Sequence, residues 1–219
     1  MKEIKILWLF NDLLDLYGDS GNITILSFYL KRNGIPFEID TKGLYDEIDF
    51  TAYDFVYCGP GKVKNIMKAA EKLSACKDNL KEAVDKGVMM LFTGSSVALL
   101  GNKITAADGN SVTGAGLFEY SCTDYDKVMI EDIVTDVKLS DRKIYGFVNR
   151  TMKIDGESDE DYRKGYECNK LWATWLLGPL MVKNPDLLAY YYRNLTGEDL
   201  DLSDTLEEKA YQHTMAEFN

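Results

Sequence analysis

A mostly parallel α/β sheet, continued by a β-rich second half, is what three observations on this sequence predict. Short, fully apolar runs alternate with amphipathic stretches through the first hundred residues. Such runs leave no face for water, so helices must cover both sides of the sheet they form. From about residue 114 the helical period gives way to strand-like segments separated by turns. At 219 residues the chain suits one domain, residues 1–219, with a C-terminal helix over about 203–218.

Taken in order, EIKILWLF (3–10) reads as a buried strand and NITILSFYLKRNG (22–34) as a helix closed by Gly34. PFEID (36–40) is a second strand. DFVYCG (54–59) is a third, ending in the turn Gly59-Pro60-Gly61. Residues 62–86 set Lys and Glu against Ile, Met, Ala, Leu and Val at helical spacing and divide into two helices. VMMLFT (88–93) is a wholly apolar strand, and SSVALLG after it a short helix. Ligands in open parallel sheets bind beyond the carboxyl ends of strands, so the turns at 11–22, 59–62 and 93–96 fall on one rim. GLFEYSC, KVMIEDIVTDV and KIYGFVN then read as an antiparallel extension, and DGESDEDYRKG (155–165) as a solvated acidic loop. PDLLAYYYRNLTG (185–197) is a helix with proline at its start and glycine at its end. Asp204-x-x-Glu207 opens the last helix in the manner of a capping box.

Composition narrows the chemistry. The formal net charge is −11 and no basic stretch is dense, which argues against nucleic acid as a partner. No apolar run approaches the ~20 residues that span a bilayer. MKEIKILWLF enters a strand without a signal-peptide cleavage pattern, so the expectation is a cytoplasmic protein without membrane insertion. Cys58, Cys76, Cys122 and Cys168 lie far apart with no CxxC spacing, suggesting neither zinc nor a disulfide framework. The single histidine, His213, removes most acid–base and metal chemistry, and no metal or cofactor is expected.

Five segments, in order, resemble the class I glutamine amidotransferases of the cobyric acid synthase (CobB/CobQ) type, and among them the amidotransferase subunit of lipid II isoglutaminyl synthase. LFNDLLDLYGDSGN followed by a helix and NGI is similar to LYPDLLNLYGDRGN, helix and RGI. YDFVYCGPG matches a strand ending in GGG, GAGLFEY matches GLGLLD, YGFVNR matches GFENH, and TWLLGPLMVKNPDLLA matches TYLHGPLLPKNPELAD. The likeness covers nearly the whole chain and implies a three-layer α/β/α, flavodoxin-like core. It also implies glutamine hydrolysis with transfer of ammonia to a synthetase, chemistry that needs a thiolate on a strand–helix elbow, a histidine base and backbone donors for the oxyanion.

Neither reacting side chain is in its place. In the family the elbow reads G-x-P-x-L-A-I-C-G-G-Y-Q-L-L-G, and against GVMMLFTGSSVALLG (87–101) it sets Gly94 at the cysteine. T-Y-L-H-G-P against Thr174–Pro179 sets Leu177 at the histidine. Val148 and Arg150 stand for the Glu and His of GFENH, and Val128 begins the stretch where the family carries an arginine for the glutamine carboxylate. An elbow holds its residue at a positive φ that glycine adopts freely, so the turn can outlive the nucleophile.

The remaining candidates each have a plain structural reading. Thr93, Ser95 and Ser96 carry hydroxyls at the elbow, but Ser and Thr commonly satisfy backbone groups at helix starts. Cys58 suits a buried small hydrophobe, Lys62 and Lys64 solvated helix-start lysines, and His213 a surface side chain. Gly59, Gly61 and Ser95 would line what remains of a pocket. Tyr190, Tyr191, Tyr192, Trp172 and Trp175 are divided evenly between a partner surface and the core. Asp12, Asp15, Tyr17, Asp19 and Asn22 lie on the first rim loop, whose retention points to a role other than hydrolysis.

The resulting expectation is a catalytically degenerate amidotransferase-like protein that partners or scaffolds a Mur-ligase-like or other ATP-dependent synthetase. Two alternatives stand beside it: an amidotransferase subunit with an atypical active site, and a small-ligand module using the vacated pocket.

Overall fold

Residues 2–218 are described by the computed structural model of the chain. The first half runs β1 (Ile4–Leu9), α1 (Gly21–Arg32), β2 (Phe37–Lys42), β3 (Phe55–Cys58), α2 (Val63–Ala75), α3 (Lys77–Asp85) and β4 (Met89–Thr93). A 3₁₀ turn, Gly94–Leu100, follows β4. Then come β5 (Lys103–Thr105), β6 (Ser111–Thr113), β7 (Ser121–Thr135), β8 (Ile144–Ile154), α4 (Asp159–Lys164) and β9 (Tyr166–Cys168). The chain finishes with β10 (Leu171–Thr174), α5 (Leu180–Lys183), α6 (Pro185–Thr196) and α7 (Leu206–Ala216).

The central sheet has the order β2-β1-β3-β4-β10-β9, parallel throughout except for β9. Every residue of β3, β4 and β10 is buried, as their continuous apolar character requires. Right-handed crossovers send α1 to one face and α2–α3 to the other, because β2 and β4 lie on opposite sides of the β1–β3 pair. The strand order therefore reverses between β1 and β3, and the loops leaving β1, β3, β4 and β10 meet above that switch point. The expected flavodoxin-like α/β class is what the structure has.

The extension is a second sheet of order β6-β5-β7-β8, in which β5 and β7 are parallel and the other pairs antiparallel. It begins earlier than the sequence pattern suggests: β5 and β6 are three-residue strands, too short for alternation to register. GLFEY, read as strand, is a turn whose amides bond back to Leu100 and Gly101. The acidic stretch 155–165 is only partly a solvated loop, since α4 forms inside it with Ser158 as cap, its hydroxyl accepting from the Asp161 amide at 3.0 Å. The last helix is capped one residue later than expected, by Thr205, which accepts from the Glu208 amide at 3.3 Å.

The aromatic residues that the sequence divided between surface and core resolve mostly to the core. Trp172, Trp175, Tyr191 and Tyr192 are at most 1% exposed, and only Tyr190 is half-buried. The Tyr191 ring of α6 packs on Phe55 of β3 with centroids 5.3 Å apart, whereas Trp172 Nε1 donates to Lys164 O of α4 at 2.9 Å. Among the described residues no helix is long and apolar enough to cross a membrane.

One polar knot ties the C-terminal helix to this body. Arg142, between β7 and β8, donates to Asp186 at the start of α6 and to both oxygens of Glu208 on α7, at 2.7 and 2.9 Å. Its guanidinium lies 4.4 Å from the Tyr211 ring centroid. The arginine holds both carboxyls below the usual carboxylate range. A lowered folded-state pKa gives stability that is present above the unfolded value and lost as pH falls through the folded one. Water reaches the arginine's outer edge, its side chain being 40% exposed, which screens the pairs. Arg142→Met should cost about 1–3 kcal/mol at neutral pH and flatten the acid limb of stability, as read by urea unfolding between acid and neutral pH.

Candidate functional site

The elbow after β4 has the geometry a nucleophile would need and a leucine where the nucleophile would go. Gly94 sits at φ +56°, in the left-handed region. A Cβ built on it would lie 2.5 Å from Leu177 Cδ2 and 3.0 Å from Pro60 Cβ. Gly94 and Leu177, set at nucleophile and base by the resemblance, are thus in contact. Leu177 is 1% exposed, so the space between them is filled and dry. Its backbone is held from outside the sheet: Leu177 N–H donates to Phe147 O at 2.8 Å and Phe147 N–H returns the bond at 3.2 Å.

The 59–61 turn is filled in the same way. A Cβ on Gly61 would meet Leu14 Cδ2 at 2.2 Å, and one on Gly59 the Leu14 carbonyl at 2.9 Å. Leu14, fully buried on the first rim loop, lies against both glycines. The Gly61 N–H donates to Ser95 Oγ at 2.9 Å, and Ser95 Oγ donates back to Gly61 O at 2.8 Å. The expected pocket remnant of Gly59, Gly61 and Ser95 is therefore brought together, but closed on itself. That closure speaks against a ligand seated in a vacated cavity at this point.

The other hydroxyls are also occupied. Ser96 Oγ donates toward Cys58 O at 3.0 Å and Thr93 O at 2.8 Å. Thr93 is fully buried and its hydroxyl donates to the Asp19 carboxylate. Cys58 is fully buried, and burial pushes its thiol far up, away from thiolate. Lys62 and Lys64 are exposed at the start of α2. His213 is exposed on α7, with Glu217 at 3.8 Å as its ionic neighbour. No hydroxyl or thiol at the elbow has a histidine to activate it.

What holds the rim together is the first loop. Asp19 is 0% exposed and receives three donors: the Thr93 hydroxyl at the end of β4, the Tyr57 hydroxyl of β3 at 2.7 Å, and the Gly178 amide beyond β10 at 3.1 Å. Asn22, also 0% exposed, accepts from the Met181 amide at 2.9 Å and donates to Asp19 O at 2.9 Å. One carboxylate and one amide thus join the carboxyl ends of four strands. Tyr57 was absent from the sequence candidates; a tyrosine at the last turn of an otherwise apolar strand is the signal that would have found it. Of the other rim-loop residues, Asp15 caps locally, accepting from the Ser20 amide at 3.1 Å, and Tyr17 packs edge-on to Phe147 with centroids 6.0 Å apart.

The residues matched to the rest of the family's pocket are not gathered in one place. Val128 is 57% exposed on the outer face of the β7–β8 hairpin. Val148 and Arg150, which pair with Glu131 and Met129, are buried on the opposite face. Glu131, the acid near the missing clamp, faces that side too and binds Arg163 at 3.2 Å and Tyr162 at 3.1 Å. Strand alternation separates what linear alignment had grouped.

A doubly wound parallel sheet with a positive-φ elbow after its fourth strand, a glycine turn beside it and a Leu-Gly-Pro turn across from it agrees with the fold implied by the resemblance to class I glutamine amidotransferases of the CobB/CobQ type. The particular relatives are lipid II isoglutaminyl synthase subunits. The chain is 28% identical over 205 residues to the glutamine-hydrolyzing subunit GatD of that synthase from Staphylococcus aureus strain N315, covering 87% of this chain and 83% of that protein. It is 25% identical over 223 residues to GatD of Streptococcus pneumoniae strain R6, covering 91% and 85%. No family model matches the chain.

Two measurements follow from this geometry. Gly94→Ala should cost about 1–3 kcal/mol from positive φ and overpacking together. Pairing it with Leu177→Ala should return more than about 0.5 kcal/mol beyond additivity, in a double-mutant cycle by chemical denaturation. The second concerns Asp19. Burial pushes its carboxyl up, the donors Thr93, Tyr57 and Gly178 hold it down, Asp15 adds a smaller upward push, and burial wins. An acid with a raised folded pKa gives stability that is complete below its unfolded value, near 3.8, and lost as pH rises through the folded value. Stability of the wild type relative to Asp19→Asn should therefore fall with rising pH, by at most about 1.4 kcal/mol per unit. An opposite slope in urea unfolding would refute the assignment.

Proposed function

We propose that this chain is a GatD-like subunit that does not hydrolyse glutamine and instead partners or scaffolds an ATP-dependent synthetase, of the Mur-ligase-like kind. The observation that carries this reading is the Leu177 side chain packed on Gly94, at the two positions the resemblance assigns to base and nucleophile. Leucine cannot accept a proton, glycine offers no attacking atom, and the two fill the volume the reacting groups would need. The bond between Gly61 and Ser95 supports it further, because a backbone N–H beside the elbow that is already satisfied within the protein is not free to hold a substrate's oxyanion. The Asp19 latch supplies a structural reason for the first rim loop to be kept without catalysis.

The relatives carry glutamine hydrolysis in their printed names, so an amidotransferase with an atypical site is the reading to beat. Its best nucleophile would be Thr93, whose hydroxyl touches a carboxylate of raised pKa. Complete burial keeps that pair from any substrate in the present conformation.

A glutaminase assay on the purified full chain, alone and with a co-expressed Mur-ligase-like synthetase, separates the two. The expected result is co-elution of the pair with glutamate release no faster than the buffer blank, and no adduct by mass spectrometry after treatment with a glutamine-analogue electrophile. Glutamate release that is abolished by Thr93→Val or Ser95→Ala would overturn the proposal, as would failure of the two proteins to associate.

A further inference from the structure

We infer that the free edge of β7, over residues 124–134, is a docking lane for an extended segment of the synthetase-type partner, one in which apolar residues alternate with Lys or Arg. The choice of occupant rests on the partnering role proposed above; the lane itself is separate from the elbow.

Most of β7 is paired on one side only. Its pairing with β5 ends at Thr123, whereas β8 accompanies it on the other side to Thr135. Phe147 of β8 exchanges both of its backbone bonds with Leu177, so its N–H and C=O point away from β7. Asp132, its partner in register, therefore sits in a non-hydrogen-bonded pair and turns its own N–H and C=O away from β8. With a period of two, Ile130 and Val128 do the same. None of these three amides has a partner among the described residues. α4 reaches β7 through the Glu131 side chain, on the inner face, and takes no backbone bond from the edge.

Long edges are usually blunted, because they template pairing with other chains. Here an irregularity between Asp124 and Met129, with Asp126 at φ +53°, blunts one end only. Beyond it the outer face carries Val128 and Ile130, 57% and 72% exposed. Such β-branched side chains supply the cross-strand contacts that an added strand makes. Phe147, diagonal to Ile130 across the ladder, carries the apolar strip on to Tyr17 of the first rim loop.

Charge selects the occupant. Asp132 has the Tyr145 hydroxyl at 3.0 Å and Asp124 the Asp126 amide at 3.3 Å, but neither they nor Asp126 have a Lys or Arg partner among the described residues. Lys127 is the one cation among residues 124–134. Where β5 turns away, a groove of about 750 Å³ continues the lane, with Glu71, Asp108, Asp124 and Asp126 set against Lys64 and Lys68. A second copy of this chain, at a net charge of −11, would bring acid against acid, whereas a segment bearing Lys or Arg complements the edge.

The test is backbone amide exchange, read by mass spectrometry on the full chain alone and in complex with a co-expressed Mur-ligase-like synthetase. Amides within 124–134 should exchange at least about tenfold more slowly in the complex. Ile130→Lys, on an exposed side chain, should leave the urea midpoint unchanged and weaken the complex by about tenfold or more. Asp124→Asn with Asp132→Asn should weaken it by about threefold or more. A complex without protection over 124–134, or with full affinity in either variant, would overturn the lane and leave the partnering role standing. No association at all would overturn both. Dimerisation of the free chain that is lost in Ile130→Lys would give the edge to a second copy and overturn the occupant named here.

Discussion

Everything on the rim depends on one buried carboxyl. The sheet alone would leave four loops to find their own positions above the switch point, each with backbone groups needing partners. Asp19 resolves this by taking donors from β3, β4 and the turn after β10 at once, with Asn22 one helical step away holding α5. Such a hub is costly to desolvate and useful only when every lone pair is engaged. That condition explains why its partners are so specific in type. Two are hydroxyls able to donate from an apolar strand end, and the third is a backbone amide that no substitution can remove.

The latch also fixes where Leu177 must be. Gly178 is bonded to Asp19 and Leu177 to Phe147, so the residue between strand and turn cannot swing away from the elbow. The leucine held there meets the elbow residue at packing distance. Gly94 is its complement. With Leu177 Cδ2 where its Cβ would stand, it is needed both for its positive φ and for its missing side chain.

Much of the fold was legible because its signals are local and dense. The fully buried strands announce themselves as uninterrupted apolar runs, and α6 by Pro185 and Gly197, whose φ of +77° ends the helix as glycine should. What was not legible depends on contacts far apart in sequence. Strands of three residues carry no period, so β5, β6 and β9 left no trace. Nothing local says that Trp175 lies over Arg150, or that Val128 turns outward while Val148 turns in, since a hairpin's facing is set by register. At the site, residue types at Gly94 and Leu177 were readable, but not their mutual contact. That contact is what turns two absences into one packed arrangement.

The polar residues around the elbow show how such an arrangement stays stable. Active sites keep donors and acceptors unsatisfied so that a substrate can satisfy them, and this costs the free protein stability. Here Ser95 closes on Gly61, Ser96 on Cys58 and Thr93, and Thr93 on Asp19. Leu14 and Leu177 exclude water from the volume between. At the elbow itself the polar groups are paired within the protein and the apolar groups packed. That closure is what supports the proposed partnering role over catalysis, since a surface ordered before binding loses less entropy when a partner docks.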